Sequence, residues 1–579
     1  MVTMKFRKAN GMKTSALKTA ILGCATGLSL LAFGGEKLIK AGDTVAMMGD
    51  SITQYGTENS AGYVQLFLRA IRTTGVNDFT FVGAGVAGNT SNAMRKRFMT
   101  DVIDKRPTVV TISSGVNDVA YEFPAQYDVY RDNIDFMATE ARKAGAKVVL
   151  MTPTGTGGEG TNVLVATMAQ IMRDYAASNG FILADSYASF RAAVEDPAAP
   201  LMSKAGWKAT VDGLHMGPVG NRAMARSLVA VMGLTETEKA AVEADWNTAA
   251  ICGIDGNPGL SLATYDLVEG YADEKKLEVQ SAASKAFAAG LPLFLANPSV
   301  PAALSPSVPA GVASDCDGGD IATCGDFNWT VEVEYDPSGL PRLLERAFAA
   351  NGSDRKVITG RQDGVDLATI AAKFDSIIAP AKGSDRTVSH VIVAPGSSGD
   401  LATDAQAASN VVAQARTKNV TVVFLTLRPG KSGEPALNAV LRGLPDGSSV
   451  RTVDVYRIMA DELQRRSSNW NAAISVHGNG RLTPRIDYLI GLATLPHVGF
   501  NSAAAGRAQS RWQSQSDFGG IPVPAKFGFA TLDQVRALAK GLNVTVEDIY
   551  SECVRLGALA LTGGPVPQPK SDGATVSLK

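Results

Sequence analysis

The chain has 579 residues, of which 45% are hydrophobic, and a formal net charge of −1. One hydrophobic core rarely organises so long a chain, so we expect two or three well-buried globular domains. Nucleic-acid binders need a cationic face, and a chain without a basic excess therefore does not fit that class of protein.

The first 34 residues have the pattern of an export signal. Several basic residues precede an apolar run at 19–33, and Ala32-Phe-Gly34 provides small residues of the kind at which signal peptides are cleaved. The run is short for a membrane span. We predict a signal peptide at 1–34 and an exported protein, periplasmic or extracellular, without stable membrane insertion after cleavage. An uncleaved anchor and a lipoprotein attached through Cys24 are the alternatives.

Residues 35–234 alternate between apolar runs and segments of helical spacing, and the last predicted helix covers 217–232. Continuous apolar strands that alternate with helices are typical of a parallel, doubly wound α/β sheet. The apolar runs, each bounded by turn residues, predict five strands at 44–50, 78–83, 108–114, 146–152 and 181–185.

Polar residues follow the first three strands and precede the last helix. Ser51 ends the sequence Gly49-Asp50-Ser51 after the first strand, Gly88 follows the second, and Asn117 follows the third. Asp212 and His215 stand just before the last helix. Because such sheets assemble their sites at the carboxyl ends of the strands, we expect these residues to meet at one edge.

The residue types suit acyl transfer. A serine hydroxyl needs a base to remove its proton, and His215 is the one histidine of four with an Asp three residues earlier in a Gly-containing loop. Asp212 can orient the imidazole and stabilise its charged form. The backbone N–H groups of Ser51 and Gly88 and the amide of Asn117 could stabilise an oxyanion.

These four segments resemble the SGNH/GDSL esterase family over residues 43–234. Its motifs correspond to Gly49-Asp50-Ser51, Gly88, Gly115-x-Asn117-Asp118 and Asp212-x-x-His215. The resemblance implies a three-layer α/β/α fold and ester hydrolysis without a metal or organic cofactor.

The same resemblance implies a role for each residue of the site. It makes Ser51 the nucleophile, His215 the base and Asp212 its partner, with Gly88 and Asn117 as oxyanion donors.

The surrounding residues narrow the resemblance to one branch of that family. Gly49-Asp-Ser-Ile-Thr-x-x-Gly56, the Gly-Asn-Thr-Ser sequence that ends at Ser91, and the later Arg97 are similar to the secreted bacterial carbohydrate esterases. Members of that branch often remove acetyl groups from polysaccharides.

We therefore predict an exported serine esterase that acts on O-acyl esters, above all O-acetyl esters, of a small molecule or a polysaccharide. Two alternatives stay open. One is a lipid or aryl esterase, or an acyltransferase, with the same three residues. The other is a non-catalytic glycan- or wall-binding protein. The sequence does not define an oligomeric state.

Residues 235–330 are predicted to be a helical, Pro/Ala/Gly-rich connecting segment. Its acidic, Gly-rich stretch at 315–326 includes Cys316 and Cys324. The spacing of the carboxylates fits no EF-hand calcium loop, so we expect a solvated loop. The two thiols could form a disulfide in an oxidising compartment or stay free and buried.

Residues 331–500 repeat the pattern of the first domain. The segment 339–352 parallels 62–75, and Val453-Asp-Val-Tyr456 parallels Ala184-Asp-Ser-Tyr187. We predict a degenerate, inactive copy of the SGNH-like domain, with an unrelated α/β domain as the alternative. The three motif positions lack the reactive residues, at 335–338, 395–399 and 478–481.

Residues 501–579 are predicted to be a helical C-terminal segment followed by a disordered tail. Two stretches, 532–541 and 545–559, have the amphipathic spacing that suits helices docked on the preceding domain. The tail is predicted from 563 onward.

Overall fold

The computed structural model describes residues 36–121, 127–154, 163–195, 198–203, 206–254, 258–300, 316, 318–325, 339–361, 365–380, 386–428, 434–466, 484–514, 519–520 and 523–566. The predicted signal peptide at 1–34, with Cys24, lies outside the described residues. So do the motif positions at 335–338 and 478–481 and most of the predicted tail.

The first sheet is parallel throughout and has the strand order β2-β1-β3-β4-β5. The strand that ends at the Gly-Asp-Ser sequence therefore lies inside the sheet, with β2 on one side and β3 on the other. The five strands are β1 Asp43–Gly49, β2 Phe79–Gly85, β3 Val109–Ser113, β4 Lys147–Met151 and β5 Ile182–Ala184.

Helices cover both faces of this sheet. Successive side chains of a strand point to opposite faces, so Val45 and Met47 pack with α2, α7 and α8, whereas Ala46 and Met48 pack with α3, α5 and α6. The predicted three-layer α/β/α fold is confirmed. The helices are α1 Ser51–Glu58, α2 Tyr63–Thr73, α3 Ser91–Asp101, α4 Val116–Tyr121, α5 Tyr127–Lys143, α6 Val163–Asn179, α7 Ser186–Glu195 and α8 Pro218–Ala230, with a 3₁₀ turn at Ile103–Lys105.

Helices from the connecting segment and from the C-terminal segment extend the core of the first domain as one unit. Two short antiparallel strand pairs also join these segments, since Cys252–Gly253 pairs with Lys526–Phe527 and Gly259–Leu260 with Gly519–Gly520. The strands are β6, β7, β13 and β14 in chain order, and the helices are α9 Glu236–Thr248, α10 Leu262–Lys275, α11 Val279–Ala296, α20 Phe529–Leu542 and α21 Val546–Leu561.

Helices α11 and α21 cross with their backbones in contact. A Cβ atom on Gly290 would lie 1.8 Å from Cys553 O, and one on Gly557 would lie 1.7 Å from Ala286 O. Any side chain at either glycine would force the helices apart, so this crossing depends on both.

The C-terminal helices divide between the two domains. The helix α19, Ser502–Ser514, packs with its Trp512 in the core of the second domain. The prediction that the later helices dock on the preceding domain is wrong for α20 and α21, which join the core of the first domain. Amphipathic spacing reveals that a helix has an apolar face but not which core that face joins.

The second sheet is also parallel and has the order β12-β11-β10-β8-β9. Its first strand along the chain lies between the second and the third, which is the order of the first sheet. Its strands are β8 Asp320–Gly325, β9 Val357–Arg361, β10 Val388–Ala394, β11 Thr421–Leu425 and β12 Val450–Val453.

Helices flank the second sheet as they flank the first, and together with the strands they enclose two apolar clusters. They are α12 Leu340–Ala349, α13 Leu367–Ala372, α14 Phe374–Ile377, α15 Leu401–Lys418, α16 Glu434–Gly443, α17 Val455–Arg466 and α18 Pro484–Thr494, with a 3₁₀ turn at Leu495–Val498.

Strand β8 corrects the sequence analysis. All six of its residues are buried, although they lie in the stretch 315–326 that we expected to be a solvated loop. Asp320 is among these buried residues, and its Oδ1 accepts a 2.9 Å hydrogen bond from the N–H of Lys356. The second sheet thus starts before residue 331, its predicted beginning. In sequence, the counterpart of Gly49-Asp50-Ser51 is Gly325-Asp326-Phe327, not the segment at 335–338.

The two cysteines of this region are free and buried. The sequence left two alternatives open, and the structure shows free, buried thiols at Cys316 and Cys324 rather than a disulfide. Burial raises the pKa of the Cys324 thiol to about 12, so this cysteine stays protonated.

A partly buried polar cluster follows β4 and β5 in the first domain. Asp185 Oδ1 accepts a 2.9 Å hydrogen bond from Thr152 Oγ1, and the hydroxyl of Thr152 accepts one of 2.8 Å from the N–H of Tyr187. Arg173 binds both oxygens of Asp185, at 2.8 and 3.0 Å, and lies over the ring of Tyr187.

The same cluster recurs at the same place in the second sheet. Thr426 Oγ1 donates to Asp454 Oδ1 at 3.2 Å and accepts from the N–H of Tyr456 at 2.9 Å. Arg442 binds both oxygens of Asp454, at 2.8 and 3.0 Å, and lies over the ring of Tyr456. A shared strand order alone would fit many α/β domains, but this matching set of four side chains supports a duplication.

None of the helices within the described ranges is long and apolar enough to cross a membrane.

Candidate active site

Ser51 lies at the carboxyl end of β1, where the strand turns directly into α1. The carboxylate of Asp50 caps this helix by accepting a 2.9 Å hydrogen bond from the N–H of Ile52. A Cβ atom on Gly49 would lie 1.9 Å from Thr53 Oγ1, so only glycine allows so sharp a turn. Each residue of the Gly-Asp-Ser sequence thus has a local structural task, and the turn presents Ser51 at the edge of the sheet.

A continuous hydrogen-bonded path joins three of the predicted site residues. His215 Nε2 lies 3.0 Å from Ser51 Oγ, and His215 Nδ1 lies 2.6 Å from Asp212 Oδ2. Ser51 is 164 residues away from His215 in the chain, so the fold brings them together. A carboxylate at Nδ1 favours the tautomer with its proton on Nδ1, which leaves Nε2 free to accept the serine proton.

The loop of Asp212 is a tight turn that holds the carboxylate in place. Asp212 Oδ1 accepts hydrogen bonds from the N–H groups of Leu214, at 2.9 Å, and His215, at 2.7 Å. Gly213 has φ +86°, in the left-handed region that glycine adopts without strain. Burial alone would raise the pKa of Asp212, but the hydrogen bonds from His215 and Leu214 outweigh it and lower the pKa.

Asp50 is a second carboxyl group close to this path, and the sequence analysis assigned it no role. It is 2% exposed. Burial raises its pKa to about 7, since the hydrogen bond from Ile52 and the charge of His215 only partly offset burial and the repulsion from Asp118. The sequence did contain a signal for this interaction, because Asp50 and Asp118 each follow a strand of the same sheet.

Gly88 lies on the loop after β2, and Asn117 lies in the first turn of α4, just after β3. Asn117 is buried, and its Nδ2 donates a 3.0 Å hydrogen bond to Asn89 O, which ties the start of α4 to the loop of Gly88. Gly88 has φ +75° and open space around its Cβ position. Glycine is therefore favoured here by backbone conformation, not by crowding.

Asp118 anchors the first residue of α3. Its two carboxylate oxygens each lie 3.0 Å from the N–H of Ser91, and it also accepts from the Ser91 hydroxyl. Asn133 Nδ2 donates to the same hydroxyl at 3.0 Å. This buried network fixes the start of α3, which directly follows the loop of Gly88.

Arg97 is a further residue of the site, which the sequence analysis used only as a mark of the resemblance. Its Nη2 donates to Gly49 O and to Ala84 O, both at 2.9 Å, and its Nε donates to Asn89 Oδ1 at 2.6 Å. One guanidinium therefore joins the ends of β1 and β2 to the loop of Gly88. Only the fold reveals this role, because the three acceptors come from separate segments.

Tyr55 borders the site one turn after Ser51. Its ring meets the ring of His215 edge to face, with 5.0 Å between centroids, and the residue is 41% exposed. Tyr55 thus leaves part of an aromatic surface open to solvent next to His215.

The described histidines of the second domain have a different setting. His390 contacts the neighbouring Ser389, with 2.8 Å between Nδ1 and Oγ, near the start of β10 and away from the carboxyl edge of its sheet. Burial, then the charges of Arg355 and Arg451, lower the pKa of His390 to about 4. Cations, rather than a carboxylate, influence this imidazole. His477 lies outside the described residues.

Comparison with known proteins adds independent information on the first domain. The model of the GDSL-like lipase/acylhydrolase family matches residues 47–223. The acetylxylan esterase of Geobacillus stearothermophilus is 26% identical over 219 residues, or 34% of this chain and 94% of that protein. The crystal structure of the acetyl xylan esterase AlAXEase is 27% identical over 32% of this chain and 98% of that one, with a TM-score of 0.29.

A third relative matches a shorter stretch. The uncharacterized lipoprotein YqeF of Bacillus subtilis is 31% identical over 116 residues, or 19% of this chain. The chain spans about half of that relative, 48% of its length.

The family match runs from β1 into α8 and so includes every residue of the predicted site. It confirms both the predicted SGNH/GDSL-type family and the predicted class of enzyme, a hydrolase of ester bonds. Residues 47–223 of this protein thus form a domain that matches the GDSL-like lipase/acylhydrolase family.

Proposed function

We propose that this protein hydrolyses O-acetyl esters of carbohydrates, with Ser51 as the nucleophile, His215 as the general base and Asp212 as the group that orients His215. The observation that carries the proposal is the path from Asp212 through the imidazole to Ser51 Oγ, with contacts of 2.6 and 3.0 Å. Both contacts lie within the range that proton transfer requires.

In this mechanism His215 Nε2 takes the proton of Ser51 Oγ as the oxygen attacks the ester carbonyl. Asp212 stabilises the imidazolium that forms. The imidazolium then gives its proton to the departing sugar oxygen, which leaves an acetyl group on Ser51. A water molecule, deprotonated by the same nitrogen, releases acetate and restores the serine.

The tetrahedral intermediate needs donors for its negative oxygen, and we assign the N–H groups of Ser51 and Gly88 and the side-chain amide of Asn117. Two facts support this assignment. The three residues follow adjacent strands, since β1 lies between β2 and β3. Asn117 also uses one N–H of its amide to hold Asn89 O, and an amide has a second N–H to offer.

The choice of an acetylated carbohydrate rests on two supports. The acetylxylan esterase of Geobacillus stearothermophilus is similar along nearly its whole length. Tyr55 also offers an exposed aromatic ring beside His215, where a sugar ring could pack.

Two parts of the proposal concern the rest of the chain. We propose that the protein is exported, on the strength of the basic and apolar pattern in residues 1–34. We also propose that the second domain is an inactive copy, since Phe327 stands where the first domain has Ser51.

The test is acetate release from p-nitrophenyl acetate and from acetylated xylan by the purified chain and its Ser51→Ala variant. Ser60→Ala is the matched control, because Ser60 follows the same helix but donates to Ile251 O instead of meeting His215. We expect activity in the wild type and in Ser60→Ala and its loss in Ser51→Ala. Undiminished turnover by Ser51→Ala would refute the role of this serine.

The substrate class needs a separate measurement. A series of p-nitrophenyl esters from acetate to palmitate should show turnover that falls as the acyl chain lengthens. A maximum at long chains would favour a lipid esterase. A wild-type chain that binds glycans but turns over no ester and does not react with a fluorophosphonate would favour a binding protein.

A further inference from the structure

The amino end of α21 contacts the segment that leads to Asp212 and His215. The N–H of Val546 donates to Leu201 O at 2.9 Å, and the N–H of Glu547 donates to Met202 O at 3.0 Å. The first N–H groups of a helix have no partner within the helix, so these two carbonyls satisfy donors that would otherwise stay unpaired. The contact joins residues that are far apart in the chain.

From Met202 the contact continues to the turn of Asp212. The N–H of Met202 donates to Trp207 O at 2.7 Å. The ring of Trp207 packs under Gly213 so closely that a Cβ atom there would lie 2.8 Å from it. Gly213 stands between Asp212 and His215, so α21 supports the turn through two intermediate contacts.

A second contact lies after the turn, on α8. Arg222 binds both oxygens of Asp533 on α20, at 2.8 and 2.6 Å, and its guanidinium lies 4.4 Å from the centre of the Phe529 ring. The side chain of Arg222 is only 7% exposed. A cation so well buried depends on its carboxylate partner.

We propose that the C-terminal helices α20 and α21 hold the turn of Asp212 and His215 in its reactive geometry, with Val546 and Asp533 as positioning residues. The inference rests on the proposed function, since the geometry that these helices hold is that of the proposed base. The two helices grip the segment 201–222 before and after the turn, and so limit how far His215 can move from Ser51. A shift of about 1 Å in a reacting group can cost on the order of a hundredfold in rate.

Val546→Pro tests the first contact. Val546 is the first residue of α21, a position where proline fits a helix, and Thr545 before it has the extended backbone that precedes proline. The variant removes one N–H donor and keeps the helix. Val279→Pro, at the first residue of α11, is the matched control.

Asp533→Asn tests the second contact, and Asp533→Glu should restore it by returning the carboxylate. The control is Glu243→Gln. Glu243, on α9, accepts two hydrogen bonds from the guanidinium of Arg226, at 2.6 and 2.8 Å, just as Asp533 accepts two from Arg222. Arg226 belongs to α8, as Arg222 does. Each variant therefore replaces the carboxylate that pairs with an arginine of α8.

We measure kcat and KM on p-nitrophenyl acetate, and amide hydrogen exchange over residues 208–217. Val546→Pro and Asp533→Asn should lower kcat about tenfold, with little change in KM, and should speed exchange in the turn. The two controls and Asp533→Glu should match the wild type in both measurements.

The outcomes separate the two proposals. A folded Val546→Pro and a folded Asp533→Asn with wild-type kcat and wild-type exchange would overturn the positioning role. An inactive wild type would refute the proposed function instead, while hydrogen exchange would still show whether α20 and α21 restrain the turn. If one variant does not fold, the other carries the test.

Discussion

The guanidinium of Arg97 lies 2.9 Å from the carbonyl oxygen of Gly49, the last residue of the strand that presents Ser51. The same side chain donates to Ala84 O and Asn89 Oδ1. It thereby links the end of β1 to the end of β2 and to the loop that we assign to the oxyanion.

Arg97→Lys should lower kcat about tenfold while the protein stays folded, because an ammonium group cannot reproduce the planar set of donors that reaches three acceptors. The control is Arg95→Lys on the same helix, where Arg95 donates to Asn133 and lies over Phe136. Steady-state kinetics and thermal melts of both variants check this. Equal kcat values for the two would contradict a special role for Arg97.

Gly88→Ala, compared with Gly75→Ala, should separate a loss of stability caused by backbone conformation from a loss of catalysis. Gly88 and Gly75 have φ of +75° and +87°, and both have open space around the Cβ position. Alanine in this region costs about 1–2 kcal/mol of stability in either place. Only Gly88→Ala should also reduce kcat, by about tenfold or more, because its N–H is an assigned oxyanion donor. Melting temperatures and kcat for both variants decide the matter, and an equally impaired Gly75→Ala would argue against that assignment.

Asp212→Asn should reduce kcat on the order of a thousandfold or more, because an amide at Nδ1 can favour the tautomer that has its proton on Nε2. The substitution keeps an oxygen to accept from the N–H groups of Leu214 and His215, so the turn should persist. A variant with more than a tenth of wild-type kcat would rule out this role for the carboxylate.

The stability of the wild type should also depend on Asp212 in acid. Its pKa in the folded protein is below the ordinary value of 3.8. The stabilisation is therefore complete above about pH 4 and is lost as the pH falls through the folded pKa. Unfolding by urea between pH 2 and 6 should show a steeper acid loss in the wild type than in Asp212→Asn. Parallel curves would exclude the linkage.

Asp50 should have the opposite effect on stability. Its pKa rises from 3.8 unfolded to about 7 folded, so the folded state holds the proton more tightly. Stability is greatest below about pH 4 and falls as the pH rises through 7. Asp50→Asn, which keeps an acceptor for the N–H of Ile52, should be more stable than the wild type at pH 8, on the order of 2–4 kcal/mol. Urea unfolding at pH 5 and pH 8 measures the difference, and a variant that gains nothing at pH 8 would show that this carboxyl is not strained.

Local sequence patterns were sufficient for the first sheet and for the position of Ser51, His215 and Asp212, because Ser51 follows an apolar strand and the other two residues come just before a helix. They failed at β8, where Asp320 and the glycines beside it resemble a surface loop. That buried carboxylate accepts a hydrogen bond from the N–H of Lys356, which is distant in sequence. Long-range pairing of this kind has no local signature.

The role of the C-terminal helices was out of reach for the same reason. Arg222 and Asp533 are 311 residues apart, and nothing near either residue identifies its partner. The amphipathic pattern of the helices revealed their apolar faces and left open which domain they join. By contrast, Thr152 and Asp185 lie in segments that align with those of Thr426 and Asp454. The sequence alone could therefore indicate a duplication, and the structure adds the matching contacts.

The crossing of α11 and α21 at Gly290 and Gly557 affects how the protein is made. A ribosome that has passed residue 234 has already produced Ser51, Asp212 and His215, but the core beneath them still lacks the helix Val546–Leu561. The core of the first domain is therefore complete only after residue 561 has been made. A premature stop late in the coding sequence would leave the complete esterase motif set in a domain with an open apolar face, so such chains would be prone to aggregate and to be degraded rather than act as a smaller enzyme.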